Sequence, residues 1–293
     1  MGNVLPIHEN PLRIAEEIAM IDILSGGRVI CGFVRGIGQE SIATNTNPIY
    51  NRERFDEAHD VIIKAWTPPG PFRYEGKHYQ YRVVNPWVMP LQKPHPPIWI
   101  PGVASTESIV WAAKHKYPYV ALAPPMDLLR GIYDLYDETA EADGWTPTAE
   151  HRAYAIRINV ADTDEKAYEE GKNFYWQLGT SFGVTPPHWQ APPGYISRAS
   201  AQGAREANRR AASNITPGGP NLAYDEAQET VQIITGNPDT VIKKLKKIID
   251  LIDPGYIVLW GREGPMSHDV AMRCIDLMGQ EVIPAIKEYQ AVG

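Results

Sequence analysis

Short β-branched runs alternate along the chain with segments whose apolar residues recur at helical spacing, which is the pattern of parallel βα units. The first helix is well marked: Asn10-Pro11 supplies a cap and a first-turn proline, and Gly26-Gly27 stops it. Between them Ile14, Ala15, Ile18, Ala19 and Ile21 form the expected inner face. Residues 29–34 then read as a fully buried strand, apolar on both faces. The spacing predicts further strands at 98–100, 119–122, 153–161 and 256–260, with helices at 52–66, 105–115 and 127–142. Asp162 is placed as the cap of the helix after 153–161. In the helix that starts after Asn237-Pro238, Val241, Leu245, Ile248 and Ile252 point inward, and Lys243, Lys244, Lys246 and Lys247 form a solvated face. A closing helix over 267–290 carries Pro284 as a kink. Residues 72–81 predict a hairpin turned at Glu75-Gly76.

Five βα units emerge, and residues 2–5 read as the tail of a sixth strand. Five units do not close a parallel barrel, which needs eight, and on periodicity alone an open doubly wound sheet is an equal candidate. Residues 177–222 break the rhythm with Pro186-Pro187, Pro192-Pro193-Gly194 and Pro217-Gly218-Gly219-Pro220 around one possible helix at 200–212. A long loop inside a regular α/β chain marks this segment as a lid candidate.

Composition narrows the function classes. At 293 residues and 43 % hydrophobic the chain is long enough for one large α/β domain, and it is read as a single domain over 1–293. A net charge of −7 without a basic block disfavours nucleic-acid partners. Cys31 and Cys274 make no CxxC pair, and the eight histidines make no HExxH or paired ligand spacing, so no metal site is expected. With no secretory leader and no uncharged membrane-length run, a soluble cytoplasmic protein without a membrane partner is expected.

Two strand ends could carry chemistry. Ile100-Pro101-Gly102-Val103-Ala104-Ser105 runs straight into a helix; Gly102 allows close approach, and the Ser105 hydroxyl with first-turn amides could hold a phosphate. An ordinary serine cap explains the same residues, and the charge of Glu107 opposes an anion unless it points away. In Gly32-Phe33-Val34-Arg35-Gly36-Ile37-Gly38 the glycines could pass under a flat ring and Arg35 could meet an anion; a buried strand ending in a turn explains it nearly as well. His8, beside Asn10, reads as a capping or loop residue more readily than a catalytic one, and no GxSxG elbow is present.

Several blocks together resemble the bacterial luciferase-like monooxygenase family. They are residues 3–11 with Ala15-Glu16-Glu17, Asp22 to Arg28 leading into Gly32-Phe33, Arg52 to Glu57 with Ala65-Trp66, the 72–79 hairpin, and Pro96 to Ile100 with Ser105 and Ser108. Residues 161–167 and Gly236-Asn237-Pro238 with Val241 complete the series, in an order and spacing that span nearly the whole chain.

The resemblance implies an α/β fold, a (β/α)8 TIM-type barrel, here incomplete, with the first two βα units and most of the third strand missing. It implies an oxidoreductase, a monooxygenase that uses reduced FMN from a separate flavin reductase, and O2, to oxidise a small organic substrate. By position Gly102, Val103, Ala104 and Ser105 would take the FMN phosphate, Arg35 would lie near the flavin, and 177–222 would be the lid. The family's active-site histidine belongs to the missing part, so no residue here inherits a catalytic role. A homo-oligomer, or association with another chain, is expected. Two alternatives accompany this reading: an F420-dependent oxidoreductase of the same fold, and a non-catalytic, truncated flavin-binding remnant.

Overall fold

The computed structural model describes residues 2–67, 70–175, 186–190, 192–195 and 222–289. The possible helix at 200–212 and most of the 177–222 segment lie outside the described residues. The chain divides into two compact units, Met1–Pro101 with Thr185–Arg198, and Gly102–Val184 with Ala199–Gly293.

The first unit holds β1 (Gly2–Val4), α1 (Pro11–Ser25), β2 (Cys31–Val34), α2 (Gly38–Ala43), α3 (Asn51–Trp66), the hairpin β3 (Phe72–Glu75) and β4 (Gln80–Val84), and β5 (Ile98–Gly102), whose last residue opens the second unit. β1 runs parallel to β2 with Asn3 opposite Phe33, and β2 runs parallel to β5 with Cys31 opposite Ile98. The residues expected at the ends of α1 are there: the Asn10 side chain accepts from Leu12 N at 3.1 Å, and Gly26 turns left-handed at φ 67°. The inner face differs by one position. Ile21 is 38 % exposed, and Asp22 is fully buried, its carboxylate accepting from Gln92 N at 2.9 Å and Gln92 Nε2 at 2.7 Å. At 100° per residue the centre of the Ile14–Ala15–Ile18–Ala19 stripe falls on the Asp22 side, and the two amide donors make a buried carboxylate tolerable there. The 29–34 strand begins at Cys31, with Ile30 exposed.

α3 packs on α1, and Trp66 Nε1 donates to Ala15 O at 3.1 Å. Two side chains of α3 tie the hairpin to it: the Glu57 carboxylate accepts from the amides of Lys77, His78 and Tyr79 at 2.9, 2.9 and 3.1 Å, and Glu53 Oε2 meets Lys77 Nζ at 2.7 Å and His78 Nε2 at 2.8 Å.

The second unit is built on β7 (Arg152–Val160), which has three parallel partners. These are β6 (Tyr119–Leu122), β8 (Ile233–Gly236) and β9 (Tyr256–Trp260). Arg157 lies opposite both Ile233 and Trp260, so β8 and β9 occupy opposite edges of β7. β6 pairs with residues 152–155 and β8 with residues 157–160 of the same strand. Helices α4 (Thr106–Lys114), α5 (Met126–Ala142) and α6 (Asp164–Gly171) follow β5, β6 and β7, giving the expected βα rhythm.

Three sequence readings change here. The cap of α6 is Thr163, whose hydroxyl accepts from Lys166 N at 3.2 Å, while Asp162 pairs with the Lys166 ammonium at 2.7 Å. Helix Pro238–Ile252 buries Val241, Leu245, Ile248 and Ile252 as expected, but Lys244 is drawn in. Its Nζ donates to Thr235 O at 3.2 Å, and burial pushes its pKa down. The closing helix runs His268–Leu277, loosens into a π-turn over Met278–Val282, and resumes over Ile283–Lys287. Proline lacks the amide that would close the ladder before it, so the distortion falls in the turn ahead of Pro284.

Candidate functional site

Gly102 ends β5, Val103 and Ala104 form the turn into α4, and Ser105 stands at the N-cap position. Ser105 does not act as a cap. Its side chain makes no bond to a first-turn amide of α4, and Ser105 Oγ donates instead to Glu107 Oε2 at 3.0 Å. The ordinary-cap reading of Ser105 therefore fails on geometry, and Glu107 is turned back onto the serine. An anion arriving at this helix end would compete with that carboxylate for the hydroxyl.

Gly102 is constrained from the other side. A Cβ built on it would meet Tyr119 Oη at 2.5 Å and the ring carbons Cζ and Cε2 at 3.1 and 3.2 Å. Tyr119 opens β6, is fully buried, and makes an edge-to-face contact with Tyr133 at 6.5 Å between ring centroids. Its hydroxyl has no hydrogen-bond partner among the described residues. Burial, reinforced by Tyr133, raises its pKa, so the phenol stays protonated and keeps a proton to donate. A buried hydroxyl without a partner costs about 1–3 kcal/mol, and such an atom against Gly102, at the strand end that leads into α4, suits an anionic ligand. The residue types fit a phosphate: a glycine that admits close approach, a serine hydroxyl at a helix N-terminus and a buried phenol.

In the first unit Arg35 follows β2. Its Nη1 donates to Tyr195 O at 3.4 Å, and its guanidinium carbon lies 5.4 Å from the centre of the Tyr195 ring. The Tyr195 hydroxyl donates to Gly36 O. Gly36 adopts φ 78°, and a Cβ there would strike Val4 Cγ1 at 2.4 Å and Glu40 Oε2 at 2.6 Å. Glu40 Oε2 in turn accepts from Ile37 N at 2.6 Å. The Arg35 Nε is buried without a partner among the described residues, as is Asn3 Nδ2 on β1. Burial raises the Tyr195 phenol and Arg35 opposes that rise. His8 serves through its backbone: its carbonyl accepts from Arg54 Nη2 at 2.9 Å and from the Tyr79 hydroxyl at 3.1 Å.

Sequence reasoning missed Tyr119 and Tyr195, which no spacing motif marks. It also missed Arg157 and Glu263, an ion pair at 3.1 Å in the second unit. Arg157 was visible in principle, as a charge on the register of β7 opposite to Tyr154, Ile156 and Ile158. Among the described residues no group of three or more His, Cys, Asp or Glu could hold a metal ion, and no helix is long and apolar enough to cross a membrane.

Comparison with known proteins places this arrangement. A profile of luciferase-like monooxygenases matches residues 2–253. The 2,5-diketocamphane 1,2-monooxygenase 2 of Pseudomonas putida is 23 % identical over 98 % of this chain and 79 % of its own length. The oxygenating constituent of the type II Baeyer–Villiger enzyme 3,6-diketocamphane monooxygenase from P. putida, solved in complex with FMN, superposes with a TM-score of 0.73. It is 20 % identical, over 97 % of this chain and 78 % of that one. The coenzyme F420-dependent tetrahydromethanopterin reductase of Methanopyrus kandleri superposes with a TM-score of 0.68 at 20 % identity, over 97 % and 82 %. The parallel α/β fold is that of these barrel enzymes, and the chain belongs to the luciferase-like monooxygenase family.

Proposed function

We propose that this chain is a flavin-dependent monooxygenase that works with reduced FMN and O2 on a small organic substrate, the FMN being reduced by a separate flavin reductase. Family membership carries the reaction class, and the observation that carries the cofactor is the buried Tyr119 hydroxyl, without a partner among the described residues, against Gly102 at the strand end that leads into α4. Gly102, Val103, Ala104 and Ser105 would hold the FMN phosphate through backbone amides and the serine hydroxyl, with Tyr119 donating from beneath. Arg35 is the candidate in the first unit for a contact to a flavin anion.

FMN, when bound, supplies the two-electron chemistry with oxygen; the protein's part is to bind, orient and exclude water. For the phosphate to take the Ser105 proton, Glu107 must release it, so the Ser105–Glu107 bond is exchanged on binding. Tyr119 needs no such exchange, since its proton has no other acceptor among the described residues.

F420 is the second reading, favoured by the F420-dependent reductase among the structural relatives. Oxygen consumption separates the two. The chain is mixed with FMN, a flavin reductase and NADH, and candidate cyclic ketones are screened for substrate-dependent oxygenated product. Incorporation of one atom of labelled O2 supports the monooxygenase. Hydride transfer from reduced F420 without oxygen uptake overturns it.

A further inference from the structure

The register of the second unit puts one charge beside a group of exposed apolar residues, with Asn159 and Thr235 further along the same face. Leu122 on β6 lies opposite Ala155 on β7, Ala155 lies opposite Val258 on β9, and Arg157 lies opposite Trp260. Residues side by side in a parallel pair point to the same face, so these five share it. Leu122, Val258 and Trp260 are each 40–45 % exposed, so the face is open. An arginine central in a strand, with Ala155, Val258, Trp260 and Ile233 around it and Asn159 two positions on, is uncommon unless it is paired.

Arg157 is held rather than free. Its Nε donates to Glu263 Oε2 at 3.1 Å, and its guanidinium carbon lies 5.0 Å from the centre of the Trp260 ring. The indole is itself fixed, since Trp260 Nε1 donates to Arg262 O at 2.6 Å. The Glu263 side chain is 4 % exposed and that of Arg157 is 22 % exposed, so the clamp is inside and the guanidinium reaches out. Nε and one ring face are used, and the Nη atoms have no partner among the described residues. Glu263 Oε1 is buried with no donor among the described residues. An ion pair placed only for stability would satisfy both partners; this one leaves one Glu263 oxygen without a donor among the described residues and the Nη donors of a partly exposed Arg157 unused. A guanidinium edge fixed in this way suits the two oxygens of a carboxylate.

We propose that Arg157, clamped by Glu263 and stacked on Trp260, is an anchor for the carboxylate of an apolar organic acid, with Leu122, Val258 and Trp260 taking the hydrocarbon part. That this acid is the enzyme's substrate rests on the monooxygenase reading above; the binding itself does not.

The test uses the flavin-free 293-residue chain, with cyclohexanecarboxylate and its methyl ester as probes, titrated by calorimetry. The carboxylate should bind and the ester should bind at least tenfold more weakly, the lower end expected for losing a hydrogen-bonded charge. Arg157→Met should abolish the difference. Because that variant strands Glu263 and can fail to fold, Val258→Glu and Val258→Lys decide the case from an exposed position. The acidic variant should weaken carboxylate binding and the basic one should strengthen it, whereas a structural role for Arg157 would give no opposite signs. No binding by the wild type, equal binding of acid and ester, or a shift in the same direction for both Val258 variants overturns the proposal. A parallel FMN titration keeps the two readings apart. Carboxylate binding without FMN binding removes the flavin reading and leaves the anchor, and the reverse removes the anchor alone.

Discussion

Replacing Gly102 by alanine places a methyl carbon 2.5 Å from Tyr119 Oη and 3.1–3.2 Å from two of its ring carbons. Tyr119 is fully buried and packed edge-on against Tyr133, so it cannot swing away without disturbing α5. Overpacking of this kind costs about 1–3 kcal/mol. Tyr119→Phe removes the closest of the three contacts and leaves the other two, which a shift of a few tenths of an ångström relieves. The alanine should then cost less than about 1 kcal/mol in the phenylalanine background, a coupling within the range of contacting residues. Tyr119→Phe alone should leave stability unchanged or raise it, because the hydroxyl it deletes is buried without a partner among the described residues. FMN should respond in the opposite direction: losing a donor to a phosphate weakens binding by roughly 1.5–3 kcal/mol. The assay is urea unfolding of wild type, both single variants and the double variant, with an FMN titration of wild type and Tyr119→Phe. An equal cost of Gly102→Ala in both backgrounds refutes the packing argument. Unweakened FMN binding by Tyr119→Phe refutes the role of the hydroxyl.

Ser105→Ala should weaken FMN by about 1–2 kcal/mol, less than a full charged hydrogen bond because the Glu107 bond is exchanged on binding; unchanged affinity in a fluorescence titration removes the assignment. Glu57→Ala should destabilise the first unit by about 2–3 kcal/mol, since it strands three amides of the hairpin turn, and urea unfolding checks it. Burial pushes the Cys31 thiol up to about 12 and raises Cys274 as well, so neither should react with a thiol reagent at pH 8 until denaturant is added; prompt labelling of the native protein contradicts this. His151 has its pKa lowered from 6.5, chiefly by burial, so the unfolded chain takes up the proton first. Its contribution is present above pH 6.5 and lost as pH falls through that value, and His151→Phe should flatten the stability slope there.

The βα rhythm was legible because a buried parallel strand and an amphipathic helix write different periods into the chain. The cap at Asn10 and the inner stripe of helix Pro238–Ile252 followed from local chemistry alone. The errors have two sources: the cap of α6 and the break ahead of Pro284 are local, whereas elsewhere a partner outside the helix bears on the position. Gln92 made Asp22 a core residue in place of Ile21, and Thr235 drew in Lys244. Strand β8 passed unread because four residues ahead of Asn237 carry too little pattern. At the candidate site the glycine and serine were visible, but their meaning was not. That Gly102 lies flush against Tyr119, seventeen positions on, is a fact of β5 and β6 geometry that no motif encodes. Arg157 was written into the strand as a break in its alternation, yet only register shows that Trp260 lies beside it.

The central claim is that this family member uses FMN at the start of α4. The direct measurement is an anaerobic titration of the chain with reduced FMN and, separately, with reduced F420, for wild type and Ser105→Ala. The account predicts saturable binding of reduced FMN that the serine variant weakens, and weaker binding of F420. Tight binding of F420 with none of FMN, or FMN binding indifferent to Ser105, would contradict it.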